Sequence, residues 1–239
     1  MRQTMLVVAV WLLAAPVAAQ RLPDWSGVWV RPFDEFAAEN ARWGNLKDPS
    51  RPPLSAKGEA VRAERLKLFG RPAAGAEPRV AGACEARFPG GMPQIMRFAF
   101  GIEFLFTPGR VTILLEQGPT IRRIFTDGRR HSADPDLTYT GESIGRWEGD
   151  TLVVDTRSIR PGTQLIGGVL TSGACVVERI RLVDAQHLQI ETTVEDPVML
   201  AAPWRYTRTY ARTSEWFERS CDNDRDGQDR EPDLTPPPR

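Results

Sequence analysis

From Arg110 onward the chain is a succession of short β-branched and aromatic runs broken by tight-turn residues, and no other feature constrains its fold as much. Arg110 to Glu116 and Thr120 to Thr126 are two such runs joined through Gly118 and Pro119, and the second stops at Asp127-Gly128, a strong turn signal. Ser143 to Trp147 and Thr151 to Thr156 flank Glu148-Gly149-Asp150, a second hairpin pattern. Alternation is cleanest where Leu188, Ile190, Thr192 and Val194 share one face and Gln189, Glu191, Thr193 and Glu195 the other. Successive strand residues point to opposite faces, so this is a half-buried strand with a polar outside. Val176 to Val183 pairs antiparallel with it across the turn from Asp184 to His187, and Trp204, Tyr206, Arg208 and Tyr210 line one side of a last strand. Earlier in the chain the pattern changes. Phe36 to Trp43 and Ser55 to Leu68 have helix-forming composition with Ser55 as N-cap, and Gly70 to Gly91, rich in Gly, Ala and Pro, reads as irregular.

Sequential strands joined by tight turns favour an antiparallel meander, which escapes exposed edges by closing on itself. Gly27-Val28-Trp29 resembles the Gly-x-Trp of the first lipocalin strand, where the Trp closes the barrel end beneath an Arg from the last strand. Arg208 or Arg205 is the expected partner. The expectation is therefore a mainly β chain: a single antiparallel, lipocalin-like (calycin-type) barrel with one or two short N-terminal helices.

Residues 1–19 read as an export signal: Arg2 is positive, Met5 to Pro16 is an apolar run too short to span a bilayer, and Val17, Ala18 and Ala19 are small residues suited to cleavage before Gln20. The working protein is then periplasmic or secreted, with no integral membrane anchor. The remaining chain, about 220 residues, suits one core, so residues 20–221 are taken as the barrel domain. Residues 222–239, charged and ending in Pro236 to Pro238 before the last Arg, read as a mobile tail. Asp222, Asp224, Asp226 and Gly227 imitate a calcium loop, but Pro232 interrupts the helix such a site needs. The 31 Lys and Arg balance 31 Asp and Glu, so no net field draws the protein to nucleic acid. Three cysteines in an oxidising compartment imply one bridge and one leftover thiol. Counting leaves the pairing open; Cys84 with Cys221 is the expected bridge, because closing so long a loop contributes about 3–5 kcal/mol, and Cys175 then stays free.

The run S-I-G-R-W-E-G-D-T-L-V-V-D-T, Ser143 to Thr156, resembles the signature of a large, mostly uncharacterised family of exported bacterial proteins. Further matching pieces are Asp24 to Trp29, Pro52-Pro53-Leu54, Gly91-Met92-Pro93, Glu103-Phe104, Pro108-Gly109-Arg110, Arg123 to Arg129, Val177-Glu178-Arg179, Glu195-Asp196-Pro197, Pro203-Trp204 and Cys221. The resemblance spans nearly all of the chain after the leader and implies export, without naming a reaction. The chain departs from that pattern at Glu142, where Asp or His is common, at Cys175, where His is common, and through Ser158 to Gly173; His131 matches.

His131, with Asp127, Asp134 and Asp136 close in sequence, is a candidate acid or base beside the bland reading of a solvated loop residue. His187, in a turn, reads as surface. His131, Glu142 and Cys175 together offer nitrogen, oxygen and sulfur donors for an acid–base–nucleophile group or Zn²⁺, but their spacing fits no compact metal motif, and strand parity puts Cys175 on the outer side with Arg179 and Arg181. No metal is therefore assigned. Arg146, Trp147 and Asp155 in the signature are candidate ligand contacts, against structural readings in which Asp155 pairs with an Arg and Trp147 packs the barrel. No phosphate loop or Cys-x-x-Cys occurs, and no cofactor is expected. Three functions follow. The first is a barrel binding a small, partly apolar molecule; the second is a cofactor-independent isomerase, lyase or hydrolase using His131 and Glu142; the third is a structural envelope protein. Oligomeric state is left open.

Overall fold

The structure, a computed structural model, describes residues 23–69, 91–97, 99–116 and 120–216. The proposed leader, both members of the proposed Cys84–Cys221 bridge and the tail with its calcium-like aspartates lie outside these residues.

The alternating runs do form strands, and the strands close. Nine of them make the barrel in the order β1 (Val28–Val30), β11 (Trp204–Thr213), β10 (His187–Glu195), β9 (Cys175–Asp184), β6 (Thr151–Arg157), β5 (Glu142–Glu148), β4 (Thr120–Phe125), β3 (Arg110–Leu115) and β2 (Ile102–Thr107), with β2 returning to β1. The fold is thus mainly β and lipocalin-like, as the strand pattern implied. Strand β2 extends the ribbon before Arg110 and pairs with β3 through a turn in which Gly109 takes φ 71°, while Gly149 takes φ 60° in the β5–β6 turn. Both are left-handed conformations that cost a side-chain-bearing residue energy. One joint departs from the meander. β4 and β5 pair in parallel over Ile124–Ser143 and Phe125–Ile144, because residues 126–141 leave the sheet and return alongside rather than turning back directly.

Inward positions follow the pleat. Val111, Ile113 and Leu115 on β3, Val176 and Ile180 on β9, and Leu188, Ile190 and Val194 on β10 are buried in one core. At one end Trp25 meets Phe104 edge-on at 5.1 Å and Trp147 at 5.4 Å, and Phe106 stacks on Trp147 at 6.1 Å. Trp29 is fully buried, and the arginine over its ring, 4.3 Å from the centroid, is Arg212 rather than Arg208 or Arg205. The register explains this correction: Trp29 sits opposite Arg212, and Arg208 is two repeats of the pleat away along the same strand. Arg212 also donates to the carbonyls of Asp24, Ser26 and Ala185, sewing the first strand to the last turn.

Two helices cover the barrel: α1 (Phe33–Gly44) and α2 (Ala56–Phe69). Ser55 is the N-cap of α2, its Oγ accepting from Gly58 N–H at 3.1 Å. Helix α1 is anchored by Glu39, which is buried against Arg31 (2.9 Å), Arg208 (3.1 Å) and Arg97 (3.2 Å). Burial alone would raise the Glu39 carboxyl, but Arg208 and Arg31 outweigh it and hold it below its ordinary value. Trp43 on the same helix lies against Trp204 (5.4 Å) and Tyr206 (6.3 Å). The 158–173 segment is packed onto the domain: its small hairpin, β7 (Gln164–Leu165) with β8 (Gly168–Val169), buries Leu165, Val169 and Leu170. Among the described residues no helix is long and apolar enough to cross a membrane.

Candidate functional site

Two sites emerge, one inside the barrel and one on its outer wall. Inside, the register sets Gly145, Val154, Glu178, Thr192 and Tyr206 side by side across five strands, with Ser143 and Thr156 one level away. Most are small or polar, and Arg122 on β4 reaches into the space they leave. Arg122 and Glu178 form an ion pair with side chains 1% and 0% exposed. Arg122 also donates to Ser143 Oγ at 3.3 Å and Thr156 Oγ1 at 3.0 Å. Capacity is left over: Arg122 Nη1 and Glu178 Oε1 are buried with no hydrogen-bond partner among the described residues, and the buried Tyr206 hydroxyl lies beside Thr192 and Arg208. Burial pushes the Tyr206 phenol above its usual value, so it stays a neutral hydroxyl able to donate or accept. An unpaired buried polar group costs about 1–3 kcal/mol, so this layer is the candidate polar site of the interior.

This polar layer was not singled out in the sequence. Its signal was there in part, because Glu178 falls between the inward Val176 and Ile180 and shares their face. Arg122 was obscured by Arg123 beside it, since one of two adjacent arginines must face inward and composition does not say which.

The expected acid–base residues meet outside. His131, on the 126–141 segment, places Nδ1 2.9 Å from Glu142 Oε2 on β5 and Nε2 3.5 Å from Asp155 Oδ2 on β6. The carboxylates that face it are therefore Glu142 and Asp155, not Asp127, Asp134 or Asp136; Asp127 is held by Arg129 at 2.6 Å. Ser132 donates to Glu142 twice, from its N–H at 2.9 Å and its hydroxyl at 2.7 Å. Burial raises the Glu142 carboxyl, but these donors and His131 outweigh it and keep it below its ordinary value. Accepting from Nδ1–H, Glu142 fixes the ring; Nε2 then has only Asp155 before it, at a distance longer than a hydrogen bond.

Asp155 points outward, its neighbour Thr156 inward, and Arg157 holds it at 2.9 Å. A pocket of about 370 Å³ opens here, lined by Arg130, His131, Ile144, Gly145, Arg146, Asp155 and Arg157. Arg146 is largely exposed and pairs with Glu148 at 2.8 Å. Trp147 belongs to the opposite face and packs the barrel end, so the three signature residues do not share one site. Cys175 is on the outer face as parity required, free, with Sγ 3.9 Å from Glu195 Oε2 and outside the pocket lining. Burial, then the Glu195 and Asp155 carboxylates, push its thiol above the usual value, the reverse of what a nucleophilic cysteine needs. His187 is exposed beside Asp184, as its turn position implied. Among the described residues no group of three or more His, Cys, Asp or Glu side chains is arranged to hold a metal ion.

Compared with protein-family models, curated proteins and solved structures, the chain finds no match.

Proposed function

We propose that this is an exported binding protein of lipocalin-like build, holding a small, partly apolar molecule inside its barrel, and akin to the exported bacterial family that its Ser143–Thr156 run resembles. The leader-like first residues support export to the periplasm or beyond. One observation carries the binding reading: Arg122 Nη1 and Glu178 Oε1 are buried in the barrel with no partner among the described residues, beside the Tyr206 hydroxyl. A ligand's polar group meeting these atoms would remove their desolvation cost, while the Trp, Phe and aliphatic walls accept its apolar part. Native mass spectrometry of the full chain recovered from a periplasm tests this. The expected result is a retained small molecule released on denaturation and lost in Arg122→Met. A protein that carries nothing and takes up no member of a panel of amphiphiles contradicts the reading and leaves the structural envelope role in its place.

The 2.9 Å His131–Glu142 pair at the outer pocket favours a second reading, a cofactor-independent isomerase, lyase or hydrolase. Turnover of a discovered substrate that survives His131→Ala unchanged removes it.

A further inference from the structure

On the flank of the barrel, residues 46–54 and α2 line a second pocket of about 330 Å³, whose lining includes Lys47, Asp48, Arg51, Leu54, Glu59 and Arg62. Its walls are pinned. Ser55 N–H donates to Met199 O at 2.9 Å, Ala201 N–H to Pro53 O at 2.8 Å, and Leu54 bridges to Leu200. The hairpin turn lies directly on the two arginines: a Cβ on Gly167 would come within 2.5 Å of Arg51 Nη2 and 3.5 Å of Arg62 Cδ.

The charges in this pocket are unevenly matched. Asp48 is occupied, accepting from Ser50 N–H at 2.9 Å and from the Ser50 hydroxyl. Glu59 holds Arg62 at 2.5 Å. Arg51 has no carboxylate within ion-pair distance among the described residues, although it is half-buried and faces Arg62. Burial first and Arg62 second press its guanidinium below the usual value, with Glu59 and Asp48 only partly opposing. A pocket that sets Arg51 near Arg62 and Lys47, with no carboxylate paired to Arg51 among the described residues, is stabilised by an anion, and the guanidinium fork matches the oxygens of a phosphate.

We propose that Lys47, Arg51 and Arg62 form a binding site for a tetrahedral phosphate group, free or carried by a small ester, separate from the barrel interior. Binding here has a built-in reporter, because Ser50, next to Arg51, accepts from Trp43 Nε1 at 3.1 Å and from Trp204 Nε1 at 2.9 Å. The test is a titration of the full chain with inorganic phosphate, butyl phosphate and acetate at matched ionic strength, read by calorimetry and tryptophan fluorescence. Saturable binding of either phosphate, about tenfold or more tighter than acetate, is expected, and Arg51→Gln weakens it by at least about tenfold. Glu59→Gln tightens it, by freeing Arg62. Tighter binding of the ester than of phosphate identifies an esterified occupant, and equal binding identifies phosphate itself. If Arg51→Gln fails to fold, Arg62→Gln carries the same expectation. Phosphate binding no better than acetate, or unchanged in the folded arginine variant, overturns the site.

Discussion

Replacing Glu178 by Gln leaves the Arg122 guanidinium charged, inside the barrel, with hydroxyl acceptors at Ser143 and Thr156 but no counter-charge. With both side chains at most 1% exposed, solvent cannot take over the neutralising role. Breaking a buried pair on one side costs about 3–5 kcal/mol, a large share of the roughly 5–15 kcal/mol that holds a domain together. The outer Arg146–Glu148 pair is the control, since both partners are exposed and its loss should be undetectable. Urea denaturation followed by tryptophan fluorescence measures the loss, provided the slope against denaturant stays constant. Glu178→Leu combined with Arg122→Met removes both charges and should recover most of the stability, giving a coupling energy of about 2 kcal/mol or more in a double-mutant cycle. A loss below about 1 kcal/mol for Glu178→Gln, with additive single changes, would refute the reasoning, because it would mean the charges are already hydrated.

Arg212→Lys keeps a charge over Trp29 but loses the fork that reaches the Asp24, Ser26 and Ala185 carbonyls, so a destabilisation of about 1–3 kcal/mol is expected in the same urea assay. Glu142 titrates lower in the fold than its ordinary 4.5, so its contribution is present above that value and fades as pH falls through the folded one. The stability gap between the protein and Glu142→Gln should therefore be full near neutrality and shrink in acid; a gap unchanged down to strongly acidic pH contradicts the latch formed with His131 and Ser132. Cys175, pushed up by burial and two carboxylates, should react with iodoacetamide more slowly at mildly alkaline pH than a small free thiol, measured in a Cys84→Ser, Cys221→Ser background. Faster alkylation would restore it as a nucleophile.

Much of the barrel was written locally. Leu188 to Glu195 alternates cleanly, Gly149 marks its hairpin, and Ser55 announces α2 as a cap, because each of these signals depends on neighbours within a few residues. Partnership across the sheet was not local. Nothing in Thr120 to Phe125 says that its far neighbour runs parallel, and Arg212 could be told from Arg208 only once Trp29 was seen opposite it. The site divides in the same way. Parity alone placed Cys175 outside, whereas His131 found Glu142 and Asp155 through a loop whose path no periodicity encodes. The interior pair of Arg122 and Glu178 needed strand parity and barrel closure together, since each arises on a different strand and they meet only inside the closed barrel.

Electron density inside the barrel of protein crystallised directly as purified from its native host is the most direct measurement of what the interior holds. The expected result is a non-protein molecule within hydrogen-bond reach of Arg122 Nη1, Glu178 Oε1 and Tyr206 Oη, with its remainder against the apolar wall. Density showing only isolated waters at those atoms, or the three groups closed upon one another, would contradict it.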